Sequence, residues 1–349
     1  MFSEAIINNI RSYAKEMDQT RNVPKELVEW MFREKLFKLF VPEELGGRFL
    51  DLPAALRIFE KMSEIEGNLG WLTAIGSGGG MFVPYIQKEQ ADRLFDDENA
   101  VIAGSGYPQG MAKKVQGGFL VTGEWKYCSG AEFASFFTAN SIKDDGEVSS
   151  FIFMTEQVEI LHDWQAFGLK STGSHTIRVK DAFVPEERTF DLTRRQNEYD
   201  GFIHTFPFIP FSQATFTSVC LGIATHFQQE AEAIASRRFA EGSSHFEKVL
   251  MVVQEKGKEL EKDRDDFYKE VDLLWADHLI GKPLTLVQED HFSETCKQAV
   301  HHAIGRAGSI IRCLGMEAIM EDSAINKIWR DLNTAGQHAF ITPYADKLA

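Results

Sequence analysis

Two stretches in the middle of the chain decide its fold: 123-GEWKYCSGAEFA-134 and 164-WQAFGLKSTGSHTIRVKDAFVPEERTF-190. Within the second, 177-IRVKDAFV-184 contains β-rich residues in a short run of the kind that forms half-buried strands. Similar runs begin at residues 100, 119, 134 and 149, and turns rich in Gly, Asp and Asn separate them. Residues 98–190 are therefore predicted to form an antiparallel β-domain.

Helical periodicity replaces this pattern on both sides. On the N-terminal side, apolar residues recur at helical spacing after Pro24 and again from Leu52, and a further helix from Leu69 is loosened by a glycine-rich run at 76–80. Toward the C-terminus, longer helices are predicted at 211–239, 244–277, 292–314 and 322–338. The chain is thus predicted to be an α+β protein with an N-terminal α-helical domain (1–97), a middle β-domain (98–190) and a C-terminal helical bundle (191–349).

The composition excludes several classes of function. A net charge of −15 argues against a nucleic-acid partner, because no basic stripe offsets the acidic surface. The lack of a run of about eighteen apolar residues argues against a membrane-spanning helix, and the early acids of the N-terminus are unlike a signal peptide. Four widely spaced cysteines without a CxxC pair argue against a metal site or a disulfide framework, and favour a reducing, cytoplasmic compartment.

Four strings of the chain resemble the acyl-CoA dehydrogenase fold superfamily, in the correct order and over nearly the whole length. They are 41-VPEELGG, 123-GEWKYCSGAEFA, the stretch 164–190 and 329-WRDLNTAGQHAFITP. The resemblance implies the acyl-CoA dehydrogenase-like arrangement of a helical domain, a β-domain and a helical bundle. It also implies a flavin enzyme.

The reaction depends on the final turn of that fold. Dehydrogenases of the superfamily remove a substrate proton with a glutamate. At the corresponding place, after Arg330-Asp331, this chain has Gln337-His338-Ala339, and the alternative location, 211-FSQATFTSVCLG, has no acid. A histidine at this place instead resembles the final turn of the flavin-dependent monooxygenases. By that resemblance, His338 would deprotonate or orient a phenolic substrate. The structural alternative is a histidine that caps the last helix.

The same resemblance implies a set of flavin contacts. Ser129, with Gly130 in register, would hydrogen-bond near the flavin N5, where a hydroxyl can donate or accept. Trp125 and Tyr127 would form a wall beside the isoalloxazine ring, although a buried core tryptophan is an alternative for the first. The remaining expected contacts are Ser105, Thr172, Ser174, Arg237 and Arg238. For these, ordinary turns and an exposed helix end are the alternatives.

Two departures from the monooxygenase pattern limit the interpretation. A pocket histidine often follows the Gly70-Trp71 pair in that branch, whereas this chain has the run Gly76 to Gly80, which predicts extra room and no imidazole. In the region expected to contact the nucleotide half of the flavin, Gly315 matches the family pattern. Arg312 and Met316, however, occupy the positions where the pattern has other residues. The flavin is therefore expected to be FAD or FMN.

The favoured function is a reduced-flavin-dependent monooxygenase that acts on a small aromatic or heteroaromatic substrate with O2. No GxGxxG follows a predicted strand, so a separate flavin reductase is expected to supply the reduced flavin. The alternatives are a divergent FAD-dependent acyl-CoA dehydrogenase or oxidase, and a catalytically silent scaffold. The resemblance also implies a homo-oligomer, a dimer or tetramer, and an apolar face on 292–314 fits either a subunit contact or a contact within one chain.

Overall fold

The computed structural model describes residues 2–342. Met1 and residues 343–349, the end of the predicted C-terminal domain, lie outside the described residues. The N-terminal part is helical, as predicted, and its helices are α1 (Glu4–Ser12), α2 (Ala14–Thr20), α3 (Lys25–Arg33), α4 (Leu52–Ile65), α5 (Gly67–Gly78) and α6 (Lys88–Phe95). A 3-10 helix, Gly79–Tyr85, continues α5 through the glycine-rich run.

The boundaries of these helices follow from local chemistry. The Asp51 side chain accepts a hydrogen bond from the backbone N–H of Ala54, 2.8 Å away, which caps the start of α4. Glu66 caps α5 in the same way through Leu69 N–H, at 2.9 Å. The helical spacing of apolar residues after Pro24 continues past the end of α3. The helix ends at Arg33 because Lys35 adopts a left-handed backbone with φ of 54°.

The middle part is a seven-stranded sheet in the order β5-β6-β2-β1-β3-β4-β7. Its strands are β1 (Ile102–Val115), β2 (Gly118–Cys128), β3 (Phe136–Lys143), β4 (Val148–Met154), β5 (Glu159–Ile160), β6 (His175–Pro185) and β7 (Thr189–Phe190). The prediction of a wholly antiparallel domain is wrong, because β1 and β3 pair in parallel. The β1–β2 hairpin reverses the chain and residues 129–135 reverse it again, so β3, which joins the other edge of β1, runs in the same direction as β1.

The C-terminal part consists of a short helix, α7 (Phe202–Thr205), followed by four longer ones: α8 (Phe208–Ala240), α9 (His245–Leu279), α10 (Leu286–Ile311) and α11 (Ala324–Ala335). Helix α8 lies at the centre and packs against α4, α5, α9, α10 and α11. One hydrophobic core consequently joins the N-terminal and C-terminal helices, while the sheet has a core of its own.

By length and hydropathy alone, α8 could cross a membrane. However, 83% of its most apolar window is buried inside the protein. Burial on nearly all sides explains why α8 is apolar around its whole circumference, as a central core helix is expected to be.

Candidate active site

A chain of three hydroxyl groups lies at one end of the sheet. Ser129 directly follows β2 and Ser174 directly precedes β6, and the neighbouring residues Cys128 and His175 pair across the two strands. The Oγ atoms of Ser129 and Ser174 are 2.7 Å apart, and Ser174 Oγ lies 2.6 Å from Thr172 Oγ1. The structure therefore brings together three of the residues that were predicted to contact a cofactor.

The direction of these hydrogen bonds is fixed by a backbone carbonyl. Thr172 Oγ1 donates its proton to Leu169 O at 2.9 Å, so Ser174 must donate to Thr172 and Ser129 must donate to Ser174. Ser129 Oγ also accepts a hydrogen bond from Trp71 Nε1, 3.0 Å away. The hydroxyl proton of Ser129 is therefore already used in a hydrogen bond, and one lone pair on its Oγ remains available to accept another.

Gly130 holds the backbone of this end of the sheet in place. It has a φ of 78°, a conformation that a residue with a side chain rarely adopts, and its N–H donates to Thr172 O at 2.8 Å. The predicted position of Gly130 beside Ser129 therefore serves to join the β2 end to the loop that carries Thr172 and Ser174.

Trp71 connects the hydroxyl chain to the final turn and is the residue that sequence reasoning missed. Its indole ring lies 5.3 Å from the Phe216 ring and 6.0 Å from the His338 ring, measured between centroids. The imidazole of His338 stacks on Phe216 at 3.6 Å. Ser129 and His338, the two predicted catalytic residues, thus flank one tryptophan.

The imidazole of His338 has a defined orientation. The backbone N–H of Phe340 points to His338 Nδ1 at 3.4 Å, so Nδ1 accepts and the proton of the neutral ring lies on Nε2. No residue within 2–342 is a hydrogen-bond partner of Nε2. Burial lowers the pKa of His338 to about 4, which makes the ring a neutral donor and a weak base near neutral pH.

The loop that carries the hydroxyl chain, residues 167–174, is clamped by α11. The Asp331 carboxylate accepts the Leu169 N–H at 2.6 Å, and the Arg330 guanidinium donates to Phe167 O at 2.8 Å. Arg330 also forms a two-pronged ion pair with Asp18 at 3.0 and 2.8 Å. Although burial opposes it, Arg330 holds the pKa of Asp18 below its usual value. The Arg330-Asp331 pair therefore positions this loop.

Helix α5 holds the same loop from the other side. The Asn68 side chain accepts the Ser171 N–H at 2.9 Å and donates to Glu66 at 2.9 Å. Glu66 and Asp331 both contact the ammonium of Lys327, which lies 2.7 Å from Asp331. Although burial opposes it, the attraction of these two carboxylates raises the pKa of Lys327, so it remains charged. This buried triad joins α5 to α11.

Two aromatic residues of β2 occupy different environments. Tyr127 has a φ of 67° and its side chain is 69% exposed, beside the Trp164 ring. Trp125 is fully buried in the core of the sheet, where Nε1 donates to Asn140 O at 2.8 Å. Trp125 is therefore a core residue, the alternative given above, and does not form a wall beside the isoalloxazine ring together with Tyr127.

Three further predicted contacts lie apart from the hydroxyl chain. Ser105 is half-buried on β1, where the register with β3 shifts, and its Oγ accepts the Tyr107 N–H at 3.4 Å. Arg237 and Arg238 are exposed near the end of α8, roughly 30 Å along the helix from Phe216. Arg237 pairs with Glu317, and Arg238 lies over the Phe246 ring.

Comparison with known proteins agrees with this architecture. Residues 1–96 match the family model of the acyl-CoA dehydrogenase N-terminal domain, and residues 214–343 match that of the C-terminal domain. The indole-3-acetate monooxygenase of Pseudomonas putida is 25% identical over 97% of this chain and 89% of its own length. The flavin-dependent monooxygenase oxygenase subunit HsaA of Mycobacterium tuberculosis is 23% identical over 97% and 90%.

Solved structures share the fold over almost the whole chain. The HsaA monooxygenase from M. tuberculosis superposes with a TM-score of 0.91 at 21% identity, covering 99% of this chain and 95% of that one. XiaF from Streptomyces in complex with FADH2 and glycerol gives 0.81 at 18% identity (97% and 90%), and TdsC from Paenibacillus with FMN and indole gives 0.80 at 18% (99% and 93%). The chain therefore belongs to the acyl-CoA dehydrogenase superfamily, and its named relatives are flavin-dependent monooxygenases.

Proposed function

We propose that this chain is the oxygenase component of a reduced-flavin-dependent monooxygenase that hydroxylates a small aromatic or heteroaromatic compound. The observation that carries the proposal is the position of Trp71, which hydrogen-bonds Ser129 on one side and packs near His338 on the other. The flavin supplies the two electrons with which O2 delivers one oxygen atom to the aromatic carbon and the other to water. The fold and the named relatives support this reaction class.

The hydroxyl chain fits a reduced flavin. The N5 atom of a reduced flavin carries a proton and donates, whereas N5 of an oxidised flavin can only accept. Ser129 has its own proton committed to Ser174 and retains a lone pair, so it matches the reduced form. Exposed Tyr127 offers a ring face beside the same end of β2. This donor set supports flavin binding and does not distinguish FAD from FMN.

His338 suits the orienting role better than the role of a base. A group with a pKa near 4 takes a phenolic proton poorly, but its Nε2–H can donate to a phenol or phenolate oxygen. The rings of Trp71, Phe216 and Phe340 around it would hold a flat substrate by stacking. We propose that His338 fixes the polar group of the substrate while these rings exclude water.

The dehydrogenase alternative lacks support at this site. The buried carboxylates of the neighbouring helices, Glu66 and Asp331, are both tied to Lys327 and to backbone N–H groups. The final turn presents His338 in place of a carboxylate. A glutamate that could remove a proton from a bound acyl chain is therefore not found at either place where the family puts it.

The wild-type protein tests the proposed function by anaerobic titration with FMN and FAD in both redox states. We expect reduced flavin to bind more tightly than oxidised flavin, because only the reduced form donates from N5 to Ser129. Preference for oxidised flavin would contradict the proposal and favour a dehydrogenase. Substrates can be sought in a panel of phenol, 4-ethylphenol, 4-butylphenol, indole and indole-3-acetate, called the aromatic panel below.

Replacing Ser174 with Ala should weaken the preference for reduced flavin. Without its acceptor, the Ser129 proton is free to point toward an oxidised N5, so we expect the ratio of the two dissociation constants to shrink about 3- to 10-fold. Ser171→Ala is the matched control, because Ser171 lies on the same loop but donates to Met17 O. An unchanged ratio in Ser174→Ala would show that the direction of the hydroxyl chain does not select the redox state.

We also propose that the protein is cytoplasmic, that it works with a separate flavin reductase and that it divides into domains near residues 97 and 190.

We further propose that the protein forms a homo-oligomer. Exposed apolar residues on α9 and at the start of α10 support a subunit contact, namely Met251, Val252, Leu273, Leu279, Leu286 and Val287. The apolar face predicted on 292–314 is used differently, since Ala299, Ile310 and Ile311 are buried within this chain. Size measurement in solution would test the oligomer.

A further inference from the structure

The glycines of α5 and the following 3-10 helix differ in what surrounds them. A Cβ atom on Gly79 would lie 2.7 Å from Ile102, and one on Gly80 would lie 2.9 Å from Val41 N. Gly70 and Gly76 are packed even more closely, against Ser63 and Phe37. Gly78 is the exception, because apart from its chain neighbours and the nearby backbone of its own helix, no atom of the described residues lies within 4 Å of its Cβ position. The extra room expected from the whole glycine run is therefore found above one residue.

That room faces the candidate active site. Residues seven apart on an α-helix point about 20° from each other, so Gly78 lies on the same face as Trp71, roughly 10 Å farther along the axis. Ile75 lies between them on this face and is half-buried. The space above Gly78 is consequently a continuation of the surface that Trp71 presents to Phe216 and His338.

A row of aromatic rings runs alongside this face. Phe216 lies 6.4 Å from Phe340, and Phe340 lies 6.5 Å from Phe208, measured between ring centroids. Phe208 is in turn 6.5 Å from Phe82, which lies just beyond Gly78 in the chain. The row therefore runs from Trp71 of α5 to Phe82 of the following 3-10 helix, and Gly78 lies between these two residues in the chain.

Polarity differs between the two ends of this row. At the Trp71 end, His338 presents Nε2 without a partner among the described residues, and Ser129 lies behind the indole. At the other end, the side chains of Ile75, Phe82 and Phe208 offer no hydrogen-bonding group. A molecule that lay along the row would thus have its polar group at His338 and apolar atoms over Gly78.

We propose that Gly78 determines substrate specificity, because the space above it receives the apolar end of an aromatic substrate whose polar group is held by His338. This inference rests on the proposed function and names the substrate class more closely. The class is an aromatic compound with one hydrogen-bonding group and, opposite it, an apolar extension. Side chains at position 78 would shorten the extension that fits.

The test measures binding of phenol, 4-ethylphenol and 4-butylphenol by calorimetry, with the protein saturated by reduced FMN and oxygen excluded. In the wild type, affinity is expected to rise along the series. Gly78→Ala is expected to weaken 4-butylphenol about 10-fold and Gly78→Leu about 100-fold, with phenol changed less than about 2-fold. Gly305→Ala is the matched control, since Gly305 is an exposed helical glycine that also has nothing within 4 Å.

The possible outcomes separate the inference from the proposed function. Equal effects of Gly78→Leu on phenol and 4-butylphenol, or none on either, would overturn the role of Gly78 while leaving the monooxygenase proposal standing. Reduced flavin bound with no phenol bound would overturn the aromatic substrate and the inference with it. Gly79→Ala checks that the effect is local, because its clash with Ile102 should lower the melting temperature without changing the ranking of the phenols.

Discussion

Replacing Lys327 with Met is expected to lower the free energy of unfolding by about 3–5 kcal/mol, because it leaves two buried carboxylates without their cation. Glu66 is 1% exposed, Asp331 is 1% exposed, and Lys327 is the only basic residue that contacts both within the described chain. The loss should also loosen the contact between α5 and α11, and with it the loop that carries Thr172 and Ser174. Chemical denaturation followed by circular dichroism measures the change.

Lys25→Met provides the matched control for this prediction. Lys25 also pairs with a carboxylate four residues later, Glu29, at 3.3 Å, but its side chain is 90% exposed. An exposed pair of this kind contributes about 0.5 kcal/mol or less. A comparable loss in the two variants would refute the view that burial makes the Lys327 triad important.

The loss of unfolding free energy caused by Lys327→Met should depend on pH and should be smaller at low pH. Burial and the charge of Glu66 already raise the pKa of Asp331, and removal of the ammonium raises it further. A carboxyl group whose pKa is higher in the folded than in the unfolded state stabilises the fold when it is protonated. The difference from the wild type should therefore shrink as the pH falls from about 8 to about 5.

Replacing His338 with Ala should lower kcat/KM for the best member of the aromatic panel about 100-fold, the cost of one hydrogen bond to a charged or strongly polar oxygen. Binding of reduced flavin should change little, since His338 reaches Ser129 only through Trp71. His338→Gln keeps an N–H donor and should recover part of the loss. Steady-state kinetics and flavin titration on the same preparations measure both effects.

The pH profile distinguishes a donor from a base at His338. Because burial holds its pKa near 4, the imidazole is neutral above that value and its donor role is present across the neutral range. Protonation would add a proton at Nδ1 and leave the Nε2–H donor in place, so no loss of activity through His338 is expected between about pH 5 and 8. An acid limb near about 6.5 that disappears in His338→Gln would contradict this assignment, as that is where an unperturbed histidine titrates.

Local sequence signals were sufficient for the outline of the fold. The apolar spacing from Leu52 predicts the helix that the structure shows as α4 at Leu52–Ile65, where Asp51 caps its start. The parallel pairing of β1 with β3 was beyond such signals, because alternation of side chains is the same in both kinds of pair and the choice depends on which side of β1 is free.

The candidate site was predictable where the resemblance fixed a position, and less so where packing decided. Ser129, Thr172 and Ser174 were each expected to contact the flavin, but the direction of the hydrogen bonds among them depends on the carbonyl of Leu169. Trp125 and Tyr127 are two residues apart with the same local pattern, and the register shift between Trp125 and Cys128, with the left-handed backbone at Tyr127, gives the two side chains different environments. Likewise, the spacing of the glycines could not single out Gly78.

Turnover under 18O2 with reduced flavin and the aromatic panel tests the proposed function. A monooxygenase is expected to give a hydroxylated product that carries one 18O atom per new hydroxyl group, and no label when the oxygen isotope is supplied in water instead. Consumption of all the O2 as hydrogen peroxide, with no labelled product from any panel member, would contradict it. So would a product hydroxyl group whose oxygen comes from water.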